Sequence, residues 1–461
     1  MNKGMRQRNR EETALLLSLV WPCVLENLTT TLVSLVDTAM VGSAGAAATA
    51  AVGLCTSPTW LMNGLTRALG IGGMAMTARA VGARDHSLAE HTAQQVLRAA
   101  MLLAAAISLV LFFGAPIIPV LMQATPEVCA GAETYLRITS LSSFIHYTAL
   151  VMGALLRGAG DMKTPMAAGI AANVINVIGN YLLIYPTRTV SLFGVSFTMW
   201  GADLGVAGAA IASSASMAVS GAWLLWRMAG RRSLLRIRLD LRRRWDTQLL
   251  DRVLRIATPA ALERVVINGG QIIYAAMFAS VGTASSAVYH IICTIEAIGY
   301  MPANGFSSAA TALVGQKLGA GDPDAAERIG KKSVRLALML LCVIGGMMAL
   351  CRYTLPVLFT EDQAVLMLCE GLMILCGAVQ PLNALSIVTQ GALGGAGDTA
   401  RPFVYSLMTM WGVRVPSAYL LGFGLNWGVY GIYFAMHLDL MVRSALLLRR
   451  FGRGEWKKRR V

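Results

Sequence analysis

The chain of 461 residues is 56% hydrophobic and only 14% charged, with a mean hydropathy of +0.60. This composition excludes an ordinary soluble domain and is typical of a protein whose solvent is the lipid bilayer. The formal charge of +15 is concentrated at both termini and in residues 227–255, beside apolar runs. That placement favours cytoplasmic loops over nucleic-acid binding, so we expect the bilayer, and no nucleic acid, as a partner.

Apolar runs of about 20 residues, the length that crosses a bilayer, predict twelve transmembrane helices. The first run is too long for the core of a signal peptide, so it is expected to stay as a helix. Lys and Arg collect in alternate connections, which predicts a multi-pass protein of the bacterial inner membrane with both termini in the cytoplasm. The predicted spans are 14–40, 48–72, 92–114, 135–156, 164–185, 205–228, 253–281, 284–312, 333–351, 365–393, 402–424 and 428–448.

An internal repeat divides these spans into two sets of six. Three blocks of the first half recur in the second at a numbering offset of 237, as in Pro22 and Glu26 against Pro259 and Glu263, or the Gly-Ala-Gly-Asp sequence at 158–161 against 395–398. The offset then falls to 223, which places extra chain within 186–204 of the first half. Because each half has an even number of spans, we expect an all-α membrane protein of two parallel-repeat lobes around a central cavity.

The repeat and the charge pattern together predict a domain organisation. We expect a cytoplasmic N-terminus at 1–13, an N-terminal lobe at 14–228, a basic linker at 229–250, a C-terminal lobe at 251–448 and a basic tail at 449–461. No Gly-x-x-x-x-Gly-Lys-Ser/Thr sequence occurs, so ATP is not the direct energy source of this chain.

Two carboxylates in the first predicted span are the leading candidates for a site. Asp37 follows Glu26 by about three helical turns, which places both on one face of a helix. A carboxylate inside a bilayer is costly, so this face predicts a cavity or a proton path. Two alternatives remain open: Glu26 pairs with an arginine near the inner interface, and Asp37 lies at the membrane interface.

The fifth and sixth predicted spans offer polar groups that suit the same site. Asn173, Asn176 and Asn180 follow each other at helical spacing, and Ser213 and Ser214 lie on the sixth span. Amides of this kind coordinate Na⁺ or hydrogen-bond a neighbouring carboxyl group. Packing between helices is the alternative explanation.

Further polar and aromatic residues inside the predicted spans are candidates for the cavity, the substrate surface or the proton path. Structural hydrogen bonding or packing is the alternative explanation for each histidine and tyrosine. These candidates are His146, Tyr147, Glu263, Tyr274, His290, Glu296 and Asn383.

Several motifs, taken in order along essentially the whole chain, resemble the multidrug and toxic compound extrusion (MATE) family of the oligosaccharide-flippase (MOP) superfamily. The resemblance implies a secondary antiporter that exports cationic, often aromatic compounds in exchange for H⁺ or Na⁺. The motifs are Trp-Pro at 21–22, Val-Asp-Thr-Ala-Met-Val-Gly at 36–42, Leu-Arg-Gly-Ala-Gly-Asp at 156–161, Gly-Val-Ala-Gly-Ala-Ala at 205–210, Met-Pro at 301–302 with Gly305, Val-Gly-Gln-Lys-Leu-Gly-Ala-Gly at 314–321 and Gly-Ala-Gly-Asp at 395–398.

The resemblance also implies that Asp37 is the coupling residue, together with Asn176, Asn180 and Ser213. The sequence departs from the family where Asn180 stands in place of a frequent second carboxylate, and Asn383 matches an aspartate of some relatives. With one carboxylate the site favours H⁺ over Na⁺, and Asp37 would be the ligand if sodium were coupled. We expect no cofactor, a small organic cation as substrate and a monomer.

Two other functions stay open. A flippase for a lipid-linked or amphipathic metabolite predicts a basic cavity, for which Arg67, Arg264 and Arg414 are the residues to locate. A membrane-embedded enzyme would use His146 or His290, but no paired histidines or nucleophile motif supports it.

Overall fold

The computed structural model describes residues 3–43, 45–192, 195–230, 233–236 and 244–459. Twelve long helical segments, two short helices, one hairpin and a final 3-10 turn (Glu455–Lys458) make up this part of the chain. In chain order they are α1 (Lys3–Gly42), α2 (Ala46–Gly82), α3 (His86–Gly114), α4 (Ile118–Leu121), α5 (Pro126–Gly158), α6 (Lys163–Leu183), β1 (Pro186–Leu192), β2 (Val195–Ala202), α7 (Gly205–Ala229), α8 (Thr247–Val281), α9 (Thr283–Gly319), α10 (Pro323–Leu350), α11 (Thr354–Val357), α12 (Gln363–Gly395), α13 (Ala400–Thr409), α14 (Val415–Tyr419) and α15 (Gly428–Gly452).

The eleventh long segment is one helix with two irregular stretches. α13 and α14 are joined and followed by π-helical turns, Met410–Arg414 and Leu420–Gly424. Each predicted span falls within one of the twelve segments, to within two residues, so the twelve-helix prediction is confirmed. Within the described part of the chain, nine helices are long and apolar enough to cross a bilayer on length and composition alone.

Two helices begin before the limits predicted for the two lobes, and the predicted domain organisation itself stays a prediction. α1 begins at Lys3, so the segment predicted as an N-terminal extension is already helical from that residue. α8 begins at Thr247, because the side chain of Asp246 accepts a hydrogen bond from the backbone N–H of Leu249 and caps the helix. Residues 231–232 and 237–243 of the predicted basic linker lie outside the described residues.

The helices form two lobes, the N-lobe of α1–α7 and the C-lobe of α8–α15. Small residues let helices approach closely inside each lobe. A Cβ on Gly158 of α5 would lie 2.6 Å from the carbonyl oxygen of Met74 in α2, and Gly395 in α12 fits equally closely against Thr311 in α9. Both pairs are related by the offset of 237, so the repeat is present in the packing as well as in the sequence.

The lobes are joined at one end of the bundle, which we call the basic end. It carries the described termini, residues 244–246 before α8 and the turns at 83–85, 159–162, 320–322 and 396–399. The Arg79 guanidinium donates to the carbonyl oxygen of Ala396 at 2.9 Å, and the Gln316 amide donates to that of Gly158 at 3.0 Å. Lys332 of α10 pairs with Glu12 of α1 at 3.3 Å. The basic end is therefore closed by contacts between the lobes.

The opposite end, which we call the hairpin end, carries the antiparallel pair β1–β2. The hairpin occupies the region 186–204 where the sequence placed the extra chain. Ser43 donates to the Tyr185 hydroxyl at 2.8 Å, and the Arg188 guanidinium lies over the rings of Tyr181 and Tyr185. These contacts fasten the hairpin to the ends of α1 and α6.

Candidate functional site

Asp37 lies in the N-lobe, in the last turns of α1, and faces α6. The amide nitrogen of Asn180 donates to its Oδ1 at 2.7 Å. Asn173 and Thr30, two turns earlier on the same two helices, are also in contact at 3.4 Å. Both pairs have the same separation in sequence, so α1 and α6 run in one register. This register sets Asn180 against Asp37.

Asn176 and Ser213 complete the cluster around Asp37. With its nitrogen toward the carboxylate, the Asn176 amide donates to the two oxygens of Asp37 at 2.7 and 2.9 Å and accepts from Ser213 Oγ at 3.3 Å. This orientation is assigned because the reverse one sets the amide oxygen against the carboxylate oxygens. The structure thus brings together all four residues predicted for the coupling site.

The charge of Asp37 is not matched by a neighbouring cation. Among the residues that the structure describes, no lysine or arginine forms an ion pair with it; its hydrogen-bond partners there are amides. An apolar cluster of Met40, Val41, Ile184 and Ala209 lies one turn nearer to the hairpin end. A partly buried carboxylate held only by neutral donors, beneath apolar side chains, is suited to taking up and releasing a cation.

Glu26 lies on the same face of α1, nearer to the basic end, as the spacing predicted. Its neighbour on α6 is Gly169, in the same register as the pairs above, where a Cβ would lie 3.4 Å from Glu26 Cγ. The Arg157 guanidinium of α5 donates to both Glu26 oxygens at 2.6 and 2.9 Å. Of the two explanations left open for Glu26, the structure shows the ion pair with an arginine.

Four further polar residues of the N-lobe and C-lobe meet near mid-depth. His146 Nε2 lies 3.3 Å from Asn63 Oδ1, which joins α5 to α2. Arg67, one turn after Asn63, is close enough to Arg157, Arg264 and Glu26 to interact electrostatically with each. Arg67 and Arg264, two of the arginines predicted for a basic cavity, therefore lie together where the lobes face each other.

The predicted acidic residues of the C-lobe form two separate polar clusters. Glu263 of α8 accepts hydrogen bonds from Gln390 at 2.6 Å and from Ser406. Glu296 of α9 accepts from Asn383 at 3.3 Å and from the Tyr433 hydroxyl at 3.3 Å. Both glutamates are buried, and neither is in contact with the Asp37 cluster of the other lobe.

A buried ion-pair group in the C-lobe was missed by the sequence reasoning. Asp439 of α15 has no exposed surface and lies 2.6 Å from the Arg414 guanidinium and 2.8 Å from that of Arg443. Asp439 and Arg443 stand one helical turn apart inside the last predicted span, a signal visible in the sequence. Arg414 is thus held by Asp439 and does not join Arg67 and Arg264.

Three other candidates lie outside the clusters around Asp37, Glu263 and Glu296. Tyr147 is buried against Ala104, Ile107 and Leu111 in the N-lobe. Tyr274 is buried in the C-lobe, where its hydroxyl donates to the carbonyl oxygen of Ile432 at 2.7 Å. His290 is exposed, and the Tyr289 ring lies against it. The two tyrosines therefore pack within their lobes, and His290 lies apart from Glu296 and Asn383.

The Asp37 cluster offers oxygen atoms of the kind that Na⁺ prefers, but the amide nitrogens occupy the side that faces the carboxylate. Both amides would have to turn before their oxygens joined Asp37 around a cation. Within the described residues, no group of three or more His, Cys, Asp or Glu side chains has the arrangement of a metal site.

Two repeated six-helix lobes joined at one end, with a carboxylate inside the bundle, define the architecture of a membrane transporter. The MatE family model matches residues 22–182 and again residues 259–420, and the offset of the repeat relates the first residues of the two matches. The chain belongs to the MatE family, that is, to the MATE transporters. The predicted family and two-lobe fold are confirmed, and the enzyme alternative is wrong.

Known transporters are similar to this chain along nearly its whole length. A probable multidrug resistance protein NorM from Thermotoga maritima is 28% identical over 97% of this chain and 93% of its own. A multidrug resistance MATE family transporter of the MOP superfamily, solved in an outward-facing conformation, has a TM-score of 0.88 with 21% identity over 97% of each chain. A MOP superfamily transporter from Pyrococcus furiosus, described by a reversed polarity of its binding pocket, has a TM-score of 0.86 with 21% identity over 97% of each chain.

Proposed function

We propose that the protein is a secondary active efflux antiporter of the bacterial inner membrane, which exports amphipathic organic molecules in exchange for H⁺ bound at Asp37. The observation that carries the proposal is the carboxylate of Asp37, held inside the N-lobe by Asn180 and Asn176 without a cationic partner among the described residues. The name of the Thermotoga relative supports multidrug efflux. We further propose that the protein works as a monomer with the basic end in the cytoplasm.

Protonation of Asp37 has a local consequence that the geometry makes specific. The ionised carboxylate is matched when Asn176 presents its nitrogen. A protonated carboxyl group needs an acceptor instead, and an amide turned end for end presents its oxygen at the same 2.7 and 2.9 Å positions. The turned amide nitrogen then points to Ser213 Oγ at 3.3 Å. We infer that the proton state of Asp37 on α1 is passed to α7 through the amide of Asn176.

Coupling follows if the two proton states favour different lobe arrangements. A ligand shifts a conformational equilibrium only by the difference in its affinity for the two states. In the described arrangement the basic end is closed, so Asp37 faces the hairpin-end half of the bundle. A proton taken up from that side and released after the lobes rearrange would drive export of substrate in the opposite direction.

The test is efflux of a fluorescent amphipathic compound from proteoliposomes under separately imposed pH and Na⁺ gradients. We expect the pH gradient to drive efflux and the Na⁺ gradient to have no effect. The Asp37→Asn substitution keeps the shape and removes the titrating group, so it should abolish the driven efflux. Driven efflux that survives in Asp37→Asn would disprove the assigned coupling residue, and efflux without either gradient would disprove secondary transport.

A flippase for a lipid-linked metabolite is a second candidate because Arg67 and Arg264 lie together between the lobes. The expectation for that function included Arg414, which is instead paired with Asp439 at 2.6 Å. Two of the three arginines thus favour an anionic ligand. Their position bears on the charge of the substrate and not on the identity of the coupling ion.

A further inference from the structure

Two arginines between the lobes lie at a depth where an unpaired charge is energetically unfavourable. Arg264 lies at the midpoint of α8, about 26 Å from each end of that helix. Arg67 lies about 22 Å from the basic end of α2. An arginine at such a depth normally pairs with an acid or with backbone carbonyls, or faces a water-filled cavity.

Neither arginine has such a partner in the described part of the chain. No hydrogen bond or ion pair there involves the guanidinium of Arg67 or Arg264, and both side chains are exposed. By contrast, Arg157 forms an ion pair with Glu26, and their side chains are only 22% and 20% exposed. The three arginines and Glu26 together leave a local charge of about +2.

The exposure of Arg67 and Arg264 is to the space between the lobes rather than to lipid. A Cβ on Gly64 of α2 would lie 3.4 Å from Arg264 Cβ on α8, so the two helices touch at this point. Arg67, one turn further, has charged neighbours on α1, α5 and α8. Side chains surrounded by helices of both lobes can gain solvent only from an internal cleft.

The repeat shows that the two arginines are not part of the common framework of the lobes. Under the offset of 237, Arg67 corresponds to Asn304 of α9, and Arg264 corresponds to Asn27 of α1. One side of the cleft is therefore basic and the related side carries amides. A requirement of helix packing would be expected on both sides of the pseudo-two-fold axis, whereas a binding group is needed only where a ligand sits.

We propose that Arg67 and Arg264 form an anion-binding site across the two lobes, which takes the carboxylate or phosphate group of an amphipathic organic substrate. The proposal rests on the proposed transport function and narrows its amphipathic substrates to organic anions and zwitterions, in place of the organic cations that the sequence predicted. Two guanidinium groups present forked donors that suit a carboxylate or a phosphate monoester. Because one group belongs to each lobe, a bound anion bridges α2 and α8.

The site is tested by equilibrium binding to the full-length protein in phosphatidylcholine nanodiscs, with no ion gradient. The two probes are 1-naphthyl phosphate and trimethyl(1-naphthyl)ammonium, which share the ring and differ in charge. We expect the phosphate to bind more tightly than the ammonium compound. Arg67→Gln and Arg264→Gln should each weaken phosphate binding by about tenfold or more, whereas Arg67→Lys should retain most of the affinity at low salt.

A matched control is Arg137→Gln, which removes an exposed arginine of α5 that pairs with Glu133 one turn away. It should leave phosphate binding unchanged. Equal binding of the two probes, or equal phosphate affinity in Arg67→Gln, Arg264→Gln and wild type, would overturn the proposal. Since no gradient is used, the result is independent of whether Asp37 couples transport to protons.

A second arm identifies the source of the anionic group. Replacing a third of the phosphatidylcholine by phosphatidylglycerol adds a lipid whose phosphodiester headgroup has a net negative charge, whereas the headgroup of phosphatidylcholine is zwitterionic. Suppression of naphthyl phosphate binding by this lipid, lost in Arg264→Gln, would support the site and assign it to lipid headgroups. Unchanged binding would support the site as one for free organic anions.

Discussion

Gly82 of α2 and Gly319 of α9 lie against each other's helix at the basic end, and the contact is reciprocal. A Cβ on Gly82 would overlap the carbonyl oxygen of Gln316, and a Cβ on Gly319 would overlap that of Arg79. Gly82 and Gly319 are related by the offset of 237, and so are Arg79 and Gln316. The two helices therefore cross on the pseudo-two-fold axis. Only glycine permits this approach of one backbone to another.

Substitution of Gly319 is therefore expected to open the basic end. The Gly319→Ala methyl group meets backbone atoms, which cannot move aside as a side chain can, and it should cost the closed arrangement about 1–3 kcal/mol. We expect alkylation of a cysteine introduced at Ala396 to become faster in Gly319→Ala. Gly346→Ala is the control, because the space around Gly346 in α10 is open. An unchanged alkylation rate would contradict a closure that depends on this crossing.

Introduction of a second carboxylate should change the coupling ion. In Asn180→Asp the amide donor 2.7 Å from Asp37 is replaced by oxygens, so two carboxylates face each other and favour a bound cation over a single proton. We expect Na⁺-driven efflux to appear in this variant and to vanish when Asp37→Asn is added. Asn173→Asp, two turns away on α6, adds the same charge outside the cluster and should not confer sodium dependence.

The acidic residues of the C-lobe are expected to matter less for coupling. Glu296 is held by Asn383 and the Tyr433 hydroxyl at 3.3 Å each, and the positive charge of Arg414 acts on it as well. Glu296→Gln keeps the size and the acceptor oxygen. Efflux driven by a pH gradient should stay within about twofold of wild type, while Asp37→Asn loses it. Equal loss in both variants would instead identify a second coupling site in the C-lobe.

Removal of the charge at Asp439 should destabilise the protein. Asp439→Asn leaves Arg414 and Arg443 facing each other in the interior of the C-lobe without their ion-pair partner, which typically costs about 3–5 kcal/mol. A clear fall in the thermal unfolding midpoint in detergent is expected. The control is Asp251→Asn, which breaks an exposed pair with Arg255 and should cost less than about 1 kcal/mol. Similar midpoints for the two variants would show that the buried group does not stabilise the fold.

Much of the fold was predictable because lipid imposes a simple rule on sequence. A helix that crosses a bilayer needs a long apolar run, and the repeat at the offset of 237 determined which runs belong together. Helical spacing predicted that Asn176 and Asn180 share one face, and the family resemblance implied that they join Asp37 and Ser213. The hairpin was predicted only as extra length, because its strands have no partner in the repeat and no transmembrane signal.

The partners of individual charges were harder to predict. The sequence left two explanations for Glu26. The choice between them depends on helix packing, which sets Arg157 of α5 beside α1. Arg67, Arg264 and Arg414 each lie inside a predicted apolar span, so the sequence does not distinguish them. Of these three, Arg414 alone pairs with Asp439. Which arginine is paired depends on contacts between distant spans, and a single sequence does not encode these as a local pattern.

The hairpin β1–β2 lies outside the register that relates the lobes, yet it is fastened to the ends of α1 and α6 through Ser43, Tyr185 and Arg188. An antibody fragment or fluorophore placed on this ribbon would move with the N-lobe and touch none of the surfaces that slide during turnover. The hairpin is thus an attachment point on the N-lobe, from which the motion of that lobe can be followed while the other stays unlabelled.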